Sequence, residues 1–308
     1  MFNILFRQFA NTALKHRKGF YLLWVGLMVT LSGCQAIPSK PYHNDYVIQR
    51  YTSSPWGFST NSFWVEGPEG VVLIDTQFIP SATLEAVEMA ESYTGKKVVL
   101  AIVLHANPDK FNGTQVLTER GIRVVTSSAV RDLIPSVDKK RRDWFYDRYA
   151  PDYPSTLVLP EGIDKETTTL DAAGLLFKLH HFGPAVSMAH LVVEFDGHLF
   201  VGDLVANNNH AWMELGLSKE WIALLEQLQS LQPRAIHPGR GNSSGAALVQ
   251  SQIDYLRFVR QTIAQYKTQP ELTPKIKDKI ITTIENRYPR YGNDYFLNLG
   301  IPAEYQAQ

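Results

Sequence analysis

Apolar and polar positions follow two kinds of pattern along most of the chain. Short runs rich in Val, Ile and Leu, bounded by Gly, Pro or Asp, predict buried strands. Longer stretches with apolar residues every three or four positions predict amphipathic helices. The predicted strands are 46–50, 61–66, 70–75, 98–104, 122–126, 175–181, 191–195, 198–201 and 234–236, and the predicted helices are 81–93, 114–120, 127–149, 218–231, 245–269 and 273–287. Two strand-rich halves, each followed by helices, predict an α/β fold.

Three local signals refine this pattern. Asp196-Gly197 between two apolar runs predicts a two-residue hairpin turn. Ser218 is the expected N-cap of the helix over 218–231, because a serine side chain can accept a free backbone N–H there. Residues 237–241, with the sequence His-Pro-Gly-Arg-Gly, are predicted to form a loop.

The strand over 98–104 leads into a polar turn that stands out from the rest of the sequence. The turn carries His105, Asn107, Asp109 and Lys110. A buried strand that ends in a polar turn before a helix is where α/β proteins place their chemistry. We therefore expect a functional site in this turn.

Composition excludes several classes of function. The 308 residues include 30 basic and 30 acidic side chains, and 44% are hydrophobic. A net charge of zero argues against electrostatic binding of nucleic acid, so no nucleic-acid partner is expected. The single cysteine, Cys34, rules out an intramolecular disulfide and a zinc site built from several thiolates.

The N-terminus has the pattern of an export signal. Basic residues between positions 7 and 18 precede an apolar run over 20–31, which is shorter than the ~20 residues that span a bilayer. Leu31-Ser32-Gly33-Cys34 then resembles the lipobox of bacterial lipoproteins. The resemblance implies a signal peptide over 1–33, acyl chains on Cys34 that anchor the protein in a membrane, and a tether over 34–45. Gln35 after the cysteine favours the outer membrane of the cell envelope, facing the periplasm; the alternative is an ordinary signal peptide with an incidental cysteine.

The polar turn resembles the metal-binding signature of the metallo-β-lactamase fold superfamily, His-x-His-x-Asp-His. His105 and Asp109 match this signature, whereas Asn107 and Lys110 stand where the second and third histidines would be. The ending of the strand over 70–75 in Asp75-Thr76 is also similar to the family, in which this aspartate is structural. The resemblance implies a four-layer αββα sandwich over 46–270, followed by a C-terminal helical extension over 271–308.

The resemblance also suggests where further metal ligands would lie. Asp203 matches the bridging aspartate, and His237 matches the last histidine in its Pro-Gly-x-Gly setting. The third-histidine position falls on Val186 or Met188, and the sequence leaves open which. His190 is nearby but would need a shifted loop to reach a metal. His105, Asp109, Asp203 and His237 are thus the candidate metal residues, vestigial or weak.

These replacements lead to two hypotheses about function. In the first, Lys110 supplies positive charge to Asp109 and Asp203, no metal binds, and the degenerate site is non-catalytic or repurposed to bind a small molecule or a protein. In the second, Asp109, Asp203 and His237 hold one zinc or iron ion, and the protein is a mononuclear metal-dependent hydrolase. The metal-bound water would then be the nucleophile, and Asp109 would be the catalytic residue that orients it. The sequence leaves open whether the protein is an enzyme, what it binds, and its oligomeric state. His180, His181 and His210 are expected to be ordinary polar residues of loops or strands. The alternative is that they line a ligand cleft together with Trp56 and Trp212.

Overall fold

The structure is a computed structural model that describes residues 47–308. The predictions for the signal peptide, Cys34 and the tether lie outside the described residues. Within residues 47–308, none of the helices combines the length and the hydropathy that crossing a bilayer requires.

The first sheet contains six strands that lie side by side in chain order. They are β1 Ile48–Thr52, β2 Asn61–Gly67, β3 Gly70–Ile74, β4 Val98–Ile102, β5 Arg123–Ser127 and β6 Glu161–Ile163. The first three pair antiparallel, and β3 to β6 pair parallel. Strand β3 is buried along its whole length because both faces of the sheet are covered, which explains its continuous apolar run.

The second sheet has five strands in the order β11-β10-β9-β8-β7. They are β7 Thr169–Ala172, β8 Leu175–Phe182, β9 His190–Phe195, β10 His198–Ala206 and β11 Ala235–Arg240. Strands β9 and β10 form the hairpin predicted at Asp196-Gly197, and β10 pairs parallel with β11. The prediction of a loop over 237–241 is wrong for its first four residues, because β11 continues to Arg240 beside β10.

Helices cover the outer face of each sheet. They are α1 Pro80–Thr94, α2 Pro108–Phe111, α3 Thr114–Glu119, α4 Ser128–Tyr149, α5 Ser218–Ser230, α6 Ala247–Tyr266, α7 Pro274–Arg287 and α8 Tyr295–Ala307. One apolar core lies between the two sheets, a second contains residues of the first sheet with α1, α3 and α4, and a third contains residues of the second sheet with α5 to α8. This arrangement is the predicted four-layer αββα sandwich.

Helix α8 ties the C-terminus to the second half of the fold. Leu297, Ile301 and Tyr305 are buried in the same core as α5 and α6. Glu304 is also buried, and its carboxylate accepts the backbone N–H of Ser218 at 2.9 Å. The prediction of Ser218 as an N-cap is therefore wrong: α5 begins at Ser218, its N-cap residue makes no side-chain hydrogen bond, and the Glu304 carboxylate accepts the Ser218 N–H.

Candidate functional site

The polar turn after β4 is held in place by the end of β3. The carboxylate of Asp75 accepts the backbone N–H of Leu104 at 2.9 Å, and Asp75 itself adopts a left-handed conformation with φ of 65°. Next along the chain, the hydroxyl of Thr76 donates to the carbonyl of Lys110 at 2.8 Å. Asp75 thus has the structural role expected from the sequence, since it fixes the point at which the chain leaves β4.

Asp203 approaches the turn from the second sheet. It lies in β10, and its carboxylate packs directly against Gly239 of β11. A Cβ atom at position 239 would lie 2.0 Å from Oδ1 of Asp203, so only glycine fits there. The glycine of the Pro-Gly-x-Gly segment therefore makes room for the carboxylate.

The ammonium group of Lys110 lies between three carboxylates. Its side chain is fully buried, with Nζ 3.0 Å from Asp203 Oδ1, 3.1 Å from Asp109 Oδ2 and 3.7 Å from Asp75 Oδ2. Burial alone would lower the pKa of Lys110, but the carboxylates of Asp109, Asp203 and Asp75 outweigh it and raise the pKa. Lys110 therefore carries its charge at neutral pH.

Arg240, at the end of β11, is a second cation in the same cluster. One terminal nitrogen lies 2.6 Å from Asp203 Oδ2, and the other donates to Asp109 Oδ2 at 2.9 Å. The Nε–H donates to the carbonyl of Phe58 at 3.1 Å, and the guanidinium lies 5.2 Å from the ring centre of Phe296. The sequence prediction missed Arg240, although its place at the carboxyl end of a parallel strand is a recognisable signal.

The two cations set the ionisation of the aspartates. Burial would raise the pKa of Asp109 and of Asp203, but Lys110 and Arg240 more than compensate, so both pKa values lie below their usual range. Asp75 is farther from the cations, and burial raises its pKa to about 7. Asp109 and Asp203 are therefore ionised at neutral pH, and their two charges balance those of Lys110 and Arg240.

His105 lies beside this cluster as a neutral imidazole. Its Nε2 accepts the backbone N–H of Asp203 at 3.4 Å and lies 3.8 Å from Asp203 Oδ2. Burial lowers the pKa of His105 to about 4. His190 is next to it, with ring centres 5.5 Å apart, and burial lowers the pKa of that residue to about 3.

The region of the third histidine provides no ligand from either predicted position. Val186 is buried in the core of the second sheet, and Met188 is 51% exposed. His190 lies near His105, but its Nε2 accepts the backbone N–H of Ser187 at 3.2 Å. The prediction that His190 needs a shifted loop to serve as a ligand agrees with this geometry.

The structure places His237 away from Asp109 and Asp203, and this corrects the predicted grouping. Its Nδ1 is hydrogen-bonded to Ser243 Oγ at 2.9 Å and its Nε2 to His198 Nδ1 at 2.8 Å. The ring stacks on Phe200 with centres 4.6 Å apart. Burial, then the neighbouring His198, lowers the pKa of His237 to about 3. His237 comes early in β11, whereas Arg240 at the end of the strand reaches the two aspartates.

Two of the other predicted histidines lie on β8. His180 is hydrogen-bonded to Glu194 at 2.8 Å, and His181 to the carbonyl of Thr167 at 3.1 Å. Both make ordinary strand contacts, and neither lines a cavity that contains Asp109.

His210 and the two predicted tryptophans have different surroundings. His210 is buried, with Nδ1 3.0 Å from the hydroxyl of Tyr255 in α6. Trp212 lines the cavity above the charge cluster, and both Trp212 and Trp56 line the groove that adjoins it. Trp212 therefore belongs to both the cleft and the groove and Trp56 to the groove, whereas His210 packs against Tyr255 and Tyr291.

The cleft opens directly above the charged groups. Aromatic side chains from loops and from helices α4 and α8 line it. It is lined by Phe58, Phe78, Asn107, Pro108, Asp109, Arg141, Phe145, Asp203, Trp212, Arg240 and Phe296. Its walls are largely apolar, with a few polar groups at the base. Its free volume is about 30 Å³, room for roughly one water molecule, so a larger ligand would extend into the groove beside it.

Comparison with known proteins identifies the family. A sequence model of the metallo-beta-lactamase superfamily matches residues 55–240, more than half of the 308 residues, so the chain belongs to this superfamily. It is similar to a metallo-beta-lactamase type 2 from Bacillus cereus, with 31% identity over 74 residues. That match spans 24% of this chain and only 29% of the relative.

Solved structures agree on the fold. The metallo-beta-lactamase from Pontibacter korlensis is 20% identical with a TM-score of 0.55, over 70% of this chain and 96% of that one. The metallo-beta-lactamase IND-7 is 18% identical with a TM-score of 0.55, over 71% and 96% respectively. The sequence predictions of the superfamily and of the αββα fold are confirmed.

The residues at the site do not fit the two metal ions that the resemblance to the family implied. Oxygens of Asp109 and Asp203 face Lys110 and Arg240, whose protonated groups have no lone pair for a metal. Among residues 47–308, no three His, Cys, Asp or Glu side chains converge in an arrangement that would hold a metal ion. The set Asp109, Asp203 and His237, predicted for a single zinc or iron, is not brought together.

Proposed function

We propose that this protein is a lipid-anchored member of the superfamily that binds a small molecule in the groove beside the cleft above Asp109 and Asp203, without metal and without hydrolysis. The observation that carries the proposal is the contact of Lys110 and Arg240 with both carboxylates. Hydrolysis in this fold would need a metal-bound water as nucleophile. Here two side-chain cations stand in contact with the carboxylates that would ligate such a metal.

Charge balance supports the metal-free state. With Asp109 and Asp203 ionised, Lys110 and Arg240 bring the cluster to neutrality, and burial keeps Asp75 close to its titration point at neutral pH. A divalent cation added to this cluster would have to displace a buried, paired cation or lie beside it. Either arrangement leaves an uncompensated buried charge, which is strongly unfavourable.

The proposed location follows from the sequence alone. Acylation of Cys34 would hold the domain at the outer membrane, facing the periplasm, with a tether of about ten residues to the first strand. Replacing Cys34 by alanine should then move the protein from the membrane fraction to the soluble fraction.

Metal analysis of the purified protein tests the central proposal. The chain should be purified without chelator, incubated with zinc and then with iron under reducing conditions, desalted, and measured by elemental analysis. We expect far less than one metal ion per chain. The matched variant Lys110→His, Arg240→His removes both cations and adds two ligands, and should retain more zinc if folded. Stoichiometric zinc or iron in the unmodified protein would overturn the proposal and favour a mononuclear hydrolase.

A further inference from the structure

An aromatic groove adjoins the cleft on its outer side. It encloses about 670 Å³, which is within the size range of small-molecule sites. Phe58, Phe145 and Trp212 line both the groove and the inner cleft, so the two spaces are continuous. The full lining is Pro55, Trp56, Phe58, Trp144, Phe145, Arg148, Tyr149, Trp212, Tyr295 and Leu299.

The walls of this aromatic groove expose large rings to solvent. Trp56 is 45% exposed, Trp144 42% and Tyr295 44%. They come from three separate parts of the chain, the segment before β2, helix α4 and helix α8, and they converge on one cavity. Concentrated apolar surface of this kind marks a binding site for an apolar body more often than a surface without function.

Arg148 is the charged side chain of the groove lining. Its guanidinium lies 5.1 Å from the ring centre of Trp56 and 5.5 Å from that of Tyr149. Within residues 47–308 it forms no ion pair with a carboxylate, in contrast to Arg141 and Arg240, which are both paired. Arg148 is therefore a cation that lies on aromatic rings and has no carboxylate partner within residues 47–308, so it can pair with an anionic group of a ligand.

We propose that the aromatic groove binds a small organic anion with a flat apolar body, whose acidic group pairs with Arg148. This inference rests on the proposed function, because it assumes that the groove holds a ligand. The aromatic rings would stack on the apolar body, and the guanidinium would form charge-assisted hydrogen bonds with a carboxylate, sulfonate or phosphate. A ligand cation would be repelled by Arg148, and a neutral apolar ligand would leave the arginine without a partner.

The position of Tyr295 indicates how the ligand would be oriented in the groove. Tyr295 lines the groove, and its ring centre lies 4.7 Å from that of Phe296, which lines the cleft. Tyr295 therefore stands where the groove and the cleft meet. With the acidic group at Arg148, the apolar body would extend inward towards Phe58 and Phe145, which join the groove to the cleft.

Two fluorescent probes with the same ring system test the charge requirement. Anilinonaphthalene sulfonate carries the anion, and N-phenylnaphthylamine lacks it. We expect the full protein to bind the sulfonate at one site, about ten-fold more tightly than the neutral amine, because a charge-assisted hydrogen bond contributes ~1.5–3 kcal/mol. Arg148→Gln should remove this preference, and Arg148→Lys should retain part of it.

Control variants separate the groove from the rest of the surface. Arg287→Gln is the matched control, because Arg287 is also exposed and lies on a tyrosine ring, 5.8 Å from the centre of Tyr288, away from the groove. It should leave the binding of both probes unchanged, whereas Trp56→Ala should weaken both. Equal affinity for the two probes, or a preference that survives Arg148→Gln, would overturn the inference.

The same preparations distinguish this inference from the proposed function. Metal content is measured on each sample before the titration. Absence of metal together with no preference for the sulfonate would overturn the inference about Arg148 alone. Stoichiometric metal together with a preference that depends on Arg148 would overturn the metal-free proposal alone.

Discussion

Lys110 is a charged side chain with no exposure to solvent, which is rare unless the charge is paired. Removing an ammonium from water costs several kcal/mol, and only close carboxylates repay it. At 3 Å and an effective dielectric of 20, two unit charges attract by about 5 kcal/mol. Asp109 and Asp203 both lie near this distance, so their attraction offsets the cost of burying the ammonium. Loss of any one charge would leave the remaining buried charges unbalanced.

Removing the ammonium group of Lys110 should therefore destabilise the folded protein. Lys110→Met keeps an unbranched apolar side chain but leaves the charges of Asp109 and Asp203 with Arg240 alone. We expect the free energy of unfolding, measured by urea denaturation at neutral pH, to fall by about 3–5 kcal/mol. The matched control is Lys97→Met, which breaks an exposed ion pair with Glu91 and should cost less than about 1 kcal/mol. Similar small losses for both variants would contradict this view of the cluster.

For the individual residues around Lys110, the sequence predicted part of the charge cluster. The proximity of Asp109, Asp203 and Lys110 followed from matching degenerate motifs to strand ends. The sequence points to His237 as the fourth partner because its Pro-Gly-x-Gly setting matches the last histidine of the family, although side chains along a strand do not all face the same way. Only the pairing of β11 with β10 shows that Arg240, at the strand's end, faces the aspartates.

Helix α4 and the segment that follows β10 meet across the cleft. Arg141 of α4 forms a salt bridge with Glu214, and the guanidinium lies 4.4 Å from the ring centre of Trp144 and 5.3 Å from that of Trp212. Lys140 pairs with the same carboxylate. Glu214 thus pairs with two neighbouring cations of α4 and fixes this helix over the opening of the site.

Neutralising Glu214 should make helix α4 more mobile near Lys140 and Arg141. For Glu214→Gln we expect hydrogen exchange in the second half of α4, residues 138–149, to speed up by about ten-fold or more, because hydrogen bonds to charged groups contribute ~1.5–3 kcal/mol. Glu226→Gln is the control, since it breaks an exposed pair with Arg257 between α5 and α6. Unchanged exchange in α4 of the Glu214 variant would show that its packing, not the salt bridge, fixes the helix.

Elements with strong periodicity were predicted within a few residues, and weakly patterned ones were missed. Strand β7 is a short edge strand whose residues are all at least partly exposed, so it has no apolar face to recognise. Helix α8 contains Gly300 and Pro302, which are unfavourable inside helices, and tertiary packing overrides that preference. The Arg141–Glu214 contact joins residues 73 positions apart and has no local signal.

For the whole molecule, the sequence divided the chain into a domain over 46–270 and a helical extension over 271–308. In the structure, α7 and α8 contribute buried side chains to the core of the second sheet, and Phe296 of α8 lines the cleft. Tyr305 also donates its hydroxyl to the carbonyl of Gln269 at 2.6 Å. The helices after residue 270 therefore complete a layer of the sandwich.

Truncation tests this dependence. A chain that ends at residue 270 loses Ile280, Ile284, Leu297 and Ile301 from the core. Large apolar side chains contribute ~2–5 kcal/mol each, so the loss of all four is comparable to the ~5–15 kcal/mol by which typical domains are stable. We expect this chain to show no cooperative unfolding transition by circular dichroism. A chain that ends at Tyr305 loses only exposed residues and should unfold like the full protein; a cooperative transition in the shorter chain would support an independent domain over 46–270.

Arg240 and Lys110 also determine how the two sheets stay joined at the site. Asp75 and Asp109 belong to the half built on the first sheet, whereas Asp203 and Arg240 belong to the half built on the second. A bound ion in this position would leave whenever a stronger ligand competed for it, and the sheets would lose their link. Cations that are covalently part of the chain cannot be extracted, so in the proposed metal-free state the link between the sheets should withstand chelators.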